Sequence, residues 1–148
     1  MQSQVAKDEC YWKSLYLESL SDDVIDRIIE WADAAPSPLS TVDVWPLGGA
    51  ITDVGPAESA FAGREAPHLL GVEANWEDPE QDQANVEWAR DCLEEMRQFS
   101  DGSVYLNFPG FYEDSDEMME TTFGDAYDRL TALKSEYDPT SLFSANFS

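Results

Sequence analysis

The stretch from His68 to Met96 changes periodicity within a few residues, and no other feature of the chain limits its fold so strongly. His68 to Trp76 is a short apolar run suited to a strand. Asp78-Pro79-Glu80-Gln81 follows, offering a cap, a proline at the first helical position and a glutamine placed for a capping box. Asn85, Trp88, Ala89, Cys92, Leu93 and Met96 then recur at helical spacing, with Glu87, Arg90, Asp91, Glu94 and Glu95 mostly on the wet side, and the helix is predicted to reach about residue 99. A strand that runs through a cap into such a helix buries the helix stripe against its own sheet.

The same succession occurs once earlier. Residues 11–17 are aromatic-rich and short, favouring a strand, and Ser21 can cap a helix with Asp22 and Asp23 in its first turn. Val24, Ile25, Ile28, Ile29 and Ala32 form one stripe predicted to be buried, and Pro36-Ser37-Pro38 ends the helix. Residues 41–47 set Val42, Val44 and Pro46 against Asp43, Trp45 and Leu47, a strand pattern, before Gly48-Gly49 allows a turn or a close backbone approach. Residues 50–66 follow neither period. Asp101-Gly102 turns the chain into Val104-Tyr105-Leu106-Asn107-Phe108, expected to be a fourth strand. A charged loop, a helical turn at 116–122 and a helix from Asp125 to Tyr137 come next, the last with Ala126, Leu130, Leu133 and Tyr137 inward. The order βαββαβ defines an α+β chain: a ferredoxin-like antiparallel sheet with helices on one face, plus a C-terminal helical tail. Residues 1–108 are expected to form the core and 109–148 the tail.

With 31 Asp and Glu against 8 Lys and Arg, the net charge is −23, spread over the whole length. Nucleic acid and anionic membrane surfaces carry the same sign and are excluded as partners. Such self-repulsion is relieved by salt, so the charge points to an acidic protein of an extreme halophile. No signal-peptide core and no long apolar span is present, which suggests a cytoplasmic location. Cys10 and Cys92 have no C-x-x-C spacing, so no zinc site or disulfide framework is expected, and Cys92 fits a small core residue. His68, the single histidine, sits at the start of an apolar strand and is expected to be structural. Glu113-Asp114-Ser115-Asp116-Glu117 lacks the glycine and the distal glutamate of a calcium loop, and Gly48-Gly49 lacks the lysine of a phosphate loop. No metal site is expected.

Tyr105 and Asn107 are two apart on the expected strand, so both project from one face. On a covered face a phenol and an amide need partners, since leaving either unsatisfied costs roughly 1–3 kcal/mol. A ligand or a covering domain would supply them there, whereas water would do so on a wet edge strand. Downstream, Tyr137-Asp138-Pro139-Thr140-Ser141-Leu142-Phe143 stops a helix at Asp-Pro and places an apolar pair beyond it. Together these segments resemble the berberine bridge enzyme-like flavin oxidases of the vanillyl-alcohol oxidase and para-cresol methylhydroxylase superfamily. That family commonly has a tail reading Tyr-Asp-Pro-x-Asn-Leu-Phe-x-x-Asn-Gln-Asn, preceded by a Tyr-x-Asn strand. Tyr11-Trp12-Lys13-Ser14, Leu47-Gly48-Gly49-Ala50 and Ala60-Phe61-Ala62-Gly63-Arg64 also resemble family segments, the last one Ala-Phe-x-His-Arg.

The resemblance implies FAD as cofactor, Tyr105 as catalytic base, and Asn107 and Asn146 as residues lying toward the flavin. It implies the substrate-binding C-terminal part of an oxidoreductase of alcohols, sugars or similar small molecules, inactive by itself. Its partners would be an FAD-binding domain, in cis or in trans, and a small-molecule substrate, with self-association possible through the docking face. The chain departs from the pattern at Gly63, where the family has His, at Ser141, where it has Asn, and at its end, which lacks Gln-Asn. The alternative is a free-standing ferredoxin-like binding or assembly module without catalysis.

Overall fold

In the computed structural model, which describes residues 9–55, 58–108, 110 and 116–143, three strands form one antiparallel sheet. β1 (Glu9–Leu17), β2 (Thr41–Pro46) and β3 (His68–Trp76) stand in the order β1-β3-β2. The register lines up Leu15, Leu70 and Val44 in one row and Lys13, Val72 and Val42 in the next. Because side chains alternate along a strand, these rows share a face, and it is the face the helices cover.

α2 (Asp82–Met96) lies across β1 and β3 and buries Asn85, Trp88, Ala89, Cys92, Leu93 and Met96, the stripe read from the sequence. A short 3₁₀ turn, Arg97–Phe99, extends it to the expected end. Its entrance is tied down by the Trp76 indole, which donates to Asp82 Oδ1 at 2.6 Å, while Asp78 caps the preceding 3₁₀ turn through Glu80 N at 3.0 Å. The interior under α2 is dry enough that burial, with a smaller contribution from Glu95, pushes the Cys92 thiol up to about 12.

α1 (Asp22–Asp33) is capped by Ser21, whose hydroxyl accepts from Val24 N at 3.4 Å. Its buried stripe is narrower than expected: Val24 is buried, Ile28 and Trp31 pack against the core, and Ile25 and Ile29 are 41% and 52% exposed. Positions 24, 28 and 31 share one line down the helix, and 25 and 29 lie one residue round from it. α1 meets the sheet at the edge strand β2, so the second line has nothing to pack on. α1 and α2 are joined by their indoles, Trp88 Nε1 donating to Trp31 O and Trp31 Nε1 to Glu95 Oε2, both at 3.0 Å.

Residues 103–105 run antiparallel beside β1, giving the spatial order expected of a ferredoxin-like sheet, but they do not form a regular fourth strand. Tyr16 N donates to Ser103 O at 3.1 Å, and the chain turns at Leu106-Asn107. At Tyr105 the side chain of Ser14 replaces the ladder, its hydroxyl accepting from Tyr105 N at 2.9 Å and donating to Tyr105 O at 3.1 Å. α3 (Asp116–Phe123) fastens this segment from below by burying Met119 and accepting Val104 N on Thr122 Oγ1 at 3.3 Å. α4 (Tyr127–Tyr137) buries no residue, so the inward positions expected at Leu133 and Tyr137 are corrected. Its main packing partners are α3 and the turn between them, because α2 already occupies the sheet's helix layer. His68 pairs with Leu17 and Pro46 at the start of β3, its Nδ1 buried without a hydrogen-bond partner among the described residues.

Candidate functional site

The face of the sheet away from the helices carries the other half of each strand. The register sets Trp12, Glu73 and Thr41 in one row, Ser14, Gly71 and Asp43 in the second, and Tyr16, Leu69 and Trp45 in the third. Gly71 is small for a reason: a Cβ there would lie 2.8 Å from Trp45 Cζ3 and 2.9 Å from Cη2, so the indole occupies the space over this position. Tyr105 and Phe108 come over the same face from the segment beside β1. Phe108 is the hub, its ring 5.2 Å from Trp12, 5.4 Å from Tyr105 and 5.9 Å from Trp45, the first two edge-on, and Phe61 approaches Tyr105 at 6.3 Å. Edge-on ring pairs contribute about 0.5–1.5 kcal/mol each beyond the area they bury.

Tyr105 packs its half-buried ring against this aromatic cluster. Asn107 Nδ2 donates to Tyr105 Oη at 2.6 Å, so the structure brings together two of the residues singled out from the sequence, across a turn instead of along a strand. Asn146, the third, lies outside the described residues, as do Phe147 and most of the acidic loop from Glu113 to Glu117.

Sequence reasoning missed three participants, because each depends on strand register. Glu73 and Asp43 share the face, and burial first, then the Asp43 charge, hold the Glu73 carboxyl above the usual carboxylate value. Tyr16 is 3% exposed and donates from its hydroxyl to Ala62 O at 3.2 Å. Burial, and next the charge of Tyr105, push its phenol from 10.0 up to about 12. The alternation of residues 10–17 was the available signal: it puts Tyr16 on the face of Trp12 and Ser14.

The raised Tyr16 phenol carries a pH dependence. A group whose folded pKa lies above its unfolded one contributes stability that is whole below the unfolded value and lost as pH rises through the folded one. Between pH 10 and about 12 the fold should therefore lose stability through Tyr16, by roughly 2–3 kcal/mol, since each tenfold change in proton affinity is worth about 1.4 kcal/mol. Denaturant midpoints on either side of this window should fall more in the parent chain than in Tyr16→Phe; equal losses would show that Tyr16 is not the group responsible.

A cavity of about 710 Å³ opens next to this face, with Tyr16, Phe61, Gly63, Arg64, Ser103 and Thr122 among its walls. Arg64 pins the covering loop by donating to Ser59 Oγ at 2.7 and 3.1 Å and to Ile51 O at 3.0 Å, with its guanidinium 5.0 Å from the Phe61 ring centre. Beyond α4 a second construction stands out. Asp138 accepts Leu142 N at 2.8 Å, Phe143 N at 3.0 Å and the Lys134 ammonium, which also reaches Phe143 O. This clasp leaves Tyr137, Leu142 and Phe143 78%, 77% and 70% exposed. The Lys134 hydrogen bond, chiefly, holds the Asp138 carboxyl below its usual value. Among the described residues no group of three or more His, Cys, Asp or Glu could hold a metal ion, and no helix is long and apolar enough to cross a membrane.

The fold has counterparts among flavoenzymes. Residues 104–148, which include Tyr105, Asn107 and the Asp138 clasp, match the family described as berberine and berberine like. The chain is 29% identical over 124 residues to the uncharacterized FAD-linked oxidoreductase YgaK of Bacillus subtilis (strain 168), a match covering 84% of this chain and 27% of that protein. The solved structure of CrmK, a flavoenzyme involved in shunt product recycling in caerulomycin biosynthesis, superposes with a TM-score of 0.80 at 21% identity, covering 97% of this chain and 32% of CrmK. BBE-like 1 of Physcomitrella patens gives 0.77 at 23% identity, covering 90% of this chain and 28% of its own. The chain is thus similar to the berberine bridge enzyme-like FAD-linked oxidoreductases, over residues 104–148 by family match and over most of its length by fold. It spans between a quarter and a third of the length of these relatives.

Proposed function

We propose that this chain supplies the substrate-side face of an FAD-dependent oxidoreductase acting on an alcohol, a sugar or a similar small molecule. The observation that carries the reading is the Tyr105 phenol, set among aromatic rings on the helix-free face and hydrogen-bonded by Asn107 within the family-matched segment. The surroundings fit a flat heteroaromatic group, since Trp12, Trp45 and Phe108 gather aromatic rings on one face and Asn107 offers a carboxamide beside them. Asn107 and Asn146 are the residues that would hold it. Bound FAD supplies the acceptor for the hydride. Tyr105 takes the proton of the substrate hydroxyl as the C–H bond breaks, so that the carbon–oxygen bond becomes a carbonyl and the substrate loses two electrons. The Asn107 amide orients the phenol oxygen that receives this proton.

The Asp138 clasp has the character of a docking knuckle. Three large apolar side chains held rigidly in solvent favour association, and the segment 109–148 would use them to pack toward the FAD-binding part of the enzyme. The 148 residues alone should be colourless, without turnover, and prone to pair with themselves through this patch.

Joining the chain in cis to the FAD-binding part of a relative such as YgaK tests the reading. The expected result is a yellow protein that oxidises members of an alcohol and sugar panel and no longer self-associates. A fusion that takes up no flavin, beside an isolated chain that is a stable monomer, would instead support a binding or assembly module without catalysis.

A further inference from the structure

Tyr16 and Gly63 are too close to be independent. Gly63 has φ +77°, and a Cβ built on it would fall 2.1 Å from Cζ and 2.4 Å from Cε2 of the Tyr16 ring. The Tyr16 ring thus lies in the space that any larger side chain at position 63 would enter. Its hydroxyl donates to Ala62 O, the carbonyl one residue before Gly63 and one after Phe61. The Phe61 ring, in turn, stands 6.3 Å from that of Tyr105.

The two phenols are also neighbours through the backbone. Tyr16 N donates to Ser103 O while Ser14 brackets both main-chain groups of Tyr105, so Tyr105 sits diagonally across from Tyr16 on adjacent segments. Diagonal partners on one face are about 7–8 Å apart at Cα, within reach of aromatic side chains. We propose that Tyr16 is a positioning residue for Tyr105: seated in the space that Gly63 leaves and anchored to the Ala62 carbonyl, it holds the Phe61 loop against the Tyr105 ring. This rests on the reading of Tyr105 as the base, but concerns where that phenol is kept and how it is covered.

The arrangement divides the work between two phenols. Tyr16 is a buried group whose donor is spent on the loop, and Tyr105 is a half-buried group whose oxygen receives the Asn107 amide. Arg64 fixes the loop from its other side through Ser59 and Ile51, so the Ala62 anchor completes a two-ended attachment.

The test needs no flavin and uses the 148-residue chain. Tyr16→Phe keeps the ring in the Gly63 space and removes the anchor alone. Amide hydrogen exchange at Ala62 to Arg64 should accelerate about tenfold, the change expected for a hydrogen bond of about 1.4 kcal/mol. Nitration of Tyr105 by tetranitromethane, followed by peptide mass mapping, should rise several-fold as Phe61 withdraws, while the melting temperature falls by no more than about 3–6 °C. Gly63→Ala should drive the ring out and raise Tyr105 nitration further, and Tyr16→Ala in that background should relieve the clash and recover stability. If Tyr16→Phe folds and leaves both exchange and Tyr105 nitration unchanged, the positioning role is overturned. That outcome is separate from a failure of Tyr105 as base, which only turnover of the flavin-restored enzyme reads.

Discussion

Tyr105→Phe should lower the turnover of the flavin-restored enzyme by roughly 10²–10⁴-fold, the range contributed by a positioned general base. The substitution removes one oxygen and leaves the ring, so the contacts with Phe108 and Phe61 persist. The backbone bonds to Ser14 also persist, since they involve only main-chain atoms of residue 105. The loss in stability is then about one hydrogen bond, that from Asn107, worth about 0.5–1.5 kcal/mol. Such a gap between a small structural cost and a large kinetic one separates a catalytic role from a scaffolding one. A loss confined to kcat, with substrate binding little changed, is the expected form. Asn107→Ala should mainly loosen the flavin, with a smaller effect on turnover through the lost amide donor. Should Tyr105→Phe turn over as fast as the parent, the base is elsewhere, and Glu73, on the same face with its carboxyl held above its usual value, is the next group to replace.

How much of this was legible beforehand depends on the range of the interactions. α2 was readable because cap, proline and stripe all lie within one short window, and each favours the same helix. Segment 103–108 was not, since the atom that displaces its ladder is Ser14 Oγ, 91 residues away. In α1 the period located Val24 and Ile28 correctly, counted Ile25, Ile29 and Ala32, which are exposed, and passed over Trp31, because periodicity gives the direction of a stripe and not the width of what covers it. The Tyr105–Asn107 contact followed from a spacing of two residues, and survives although the chain turns there. Tyr16, Gly63 and Glu73 required the pairing of β1 with β3 and the path of the loop over the face, neither of which is written in any local pattern.

Thermal stability should rise by on the order of 10 °C or more as KCl goes from tens of millimolar to molar, taking relief of a few kcal/mol at ~2–4 °C per kcal/mol. The argument starts from a net charge of −23 on 148 residues. At low salt the Debye length approaches about 30 Å, so carboxylates on opposite sides of such a molecule repel one another. Local pairing does little to offset this: Arg27 with Glu30, Arg97 with Glu94 and Lys134 with Asp138 are one helical turn apart, and the first two are well exposed. Exposed pairs of that kind contribute about 0–1 kcal/mol each. Arg27 also reaches Glu95 on α2 at 3.4 Å and so joins two helices. The dry interface of Trp76, Trp88 and Met96 is indifferent to dilute salt and already forms, so salt acts on a folded core by removing a penalty. NaCl at equal ionic strength should therefore match KCl below about 0.5 M, where screening dominates. A melting temperature that does not move with salt would remove the support for adaptation to high salt, and a rise seen with KCl but not NaCl would point to a specific cation in place of screening.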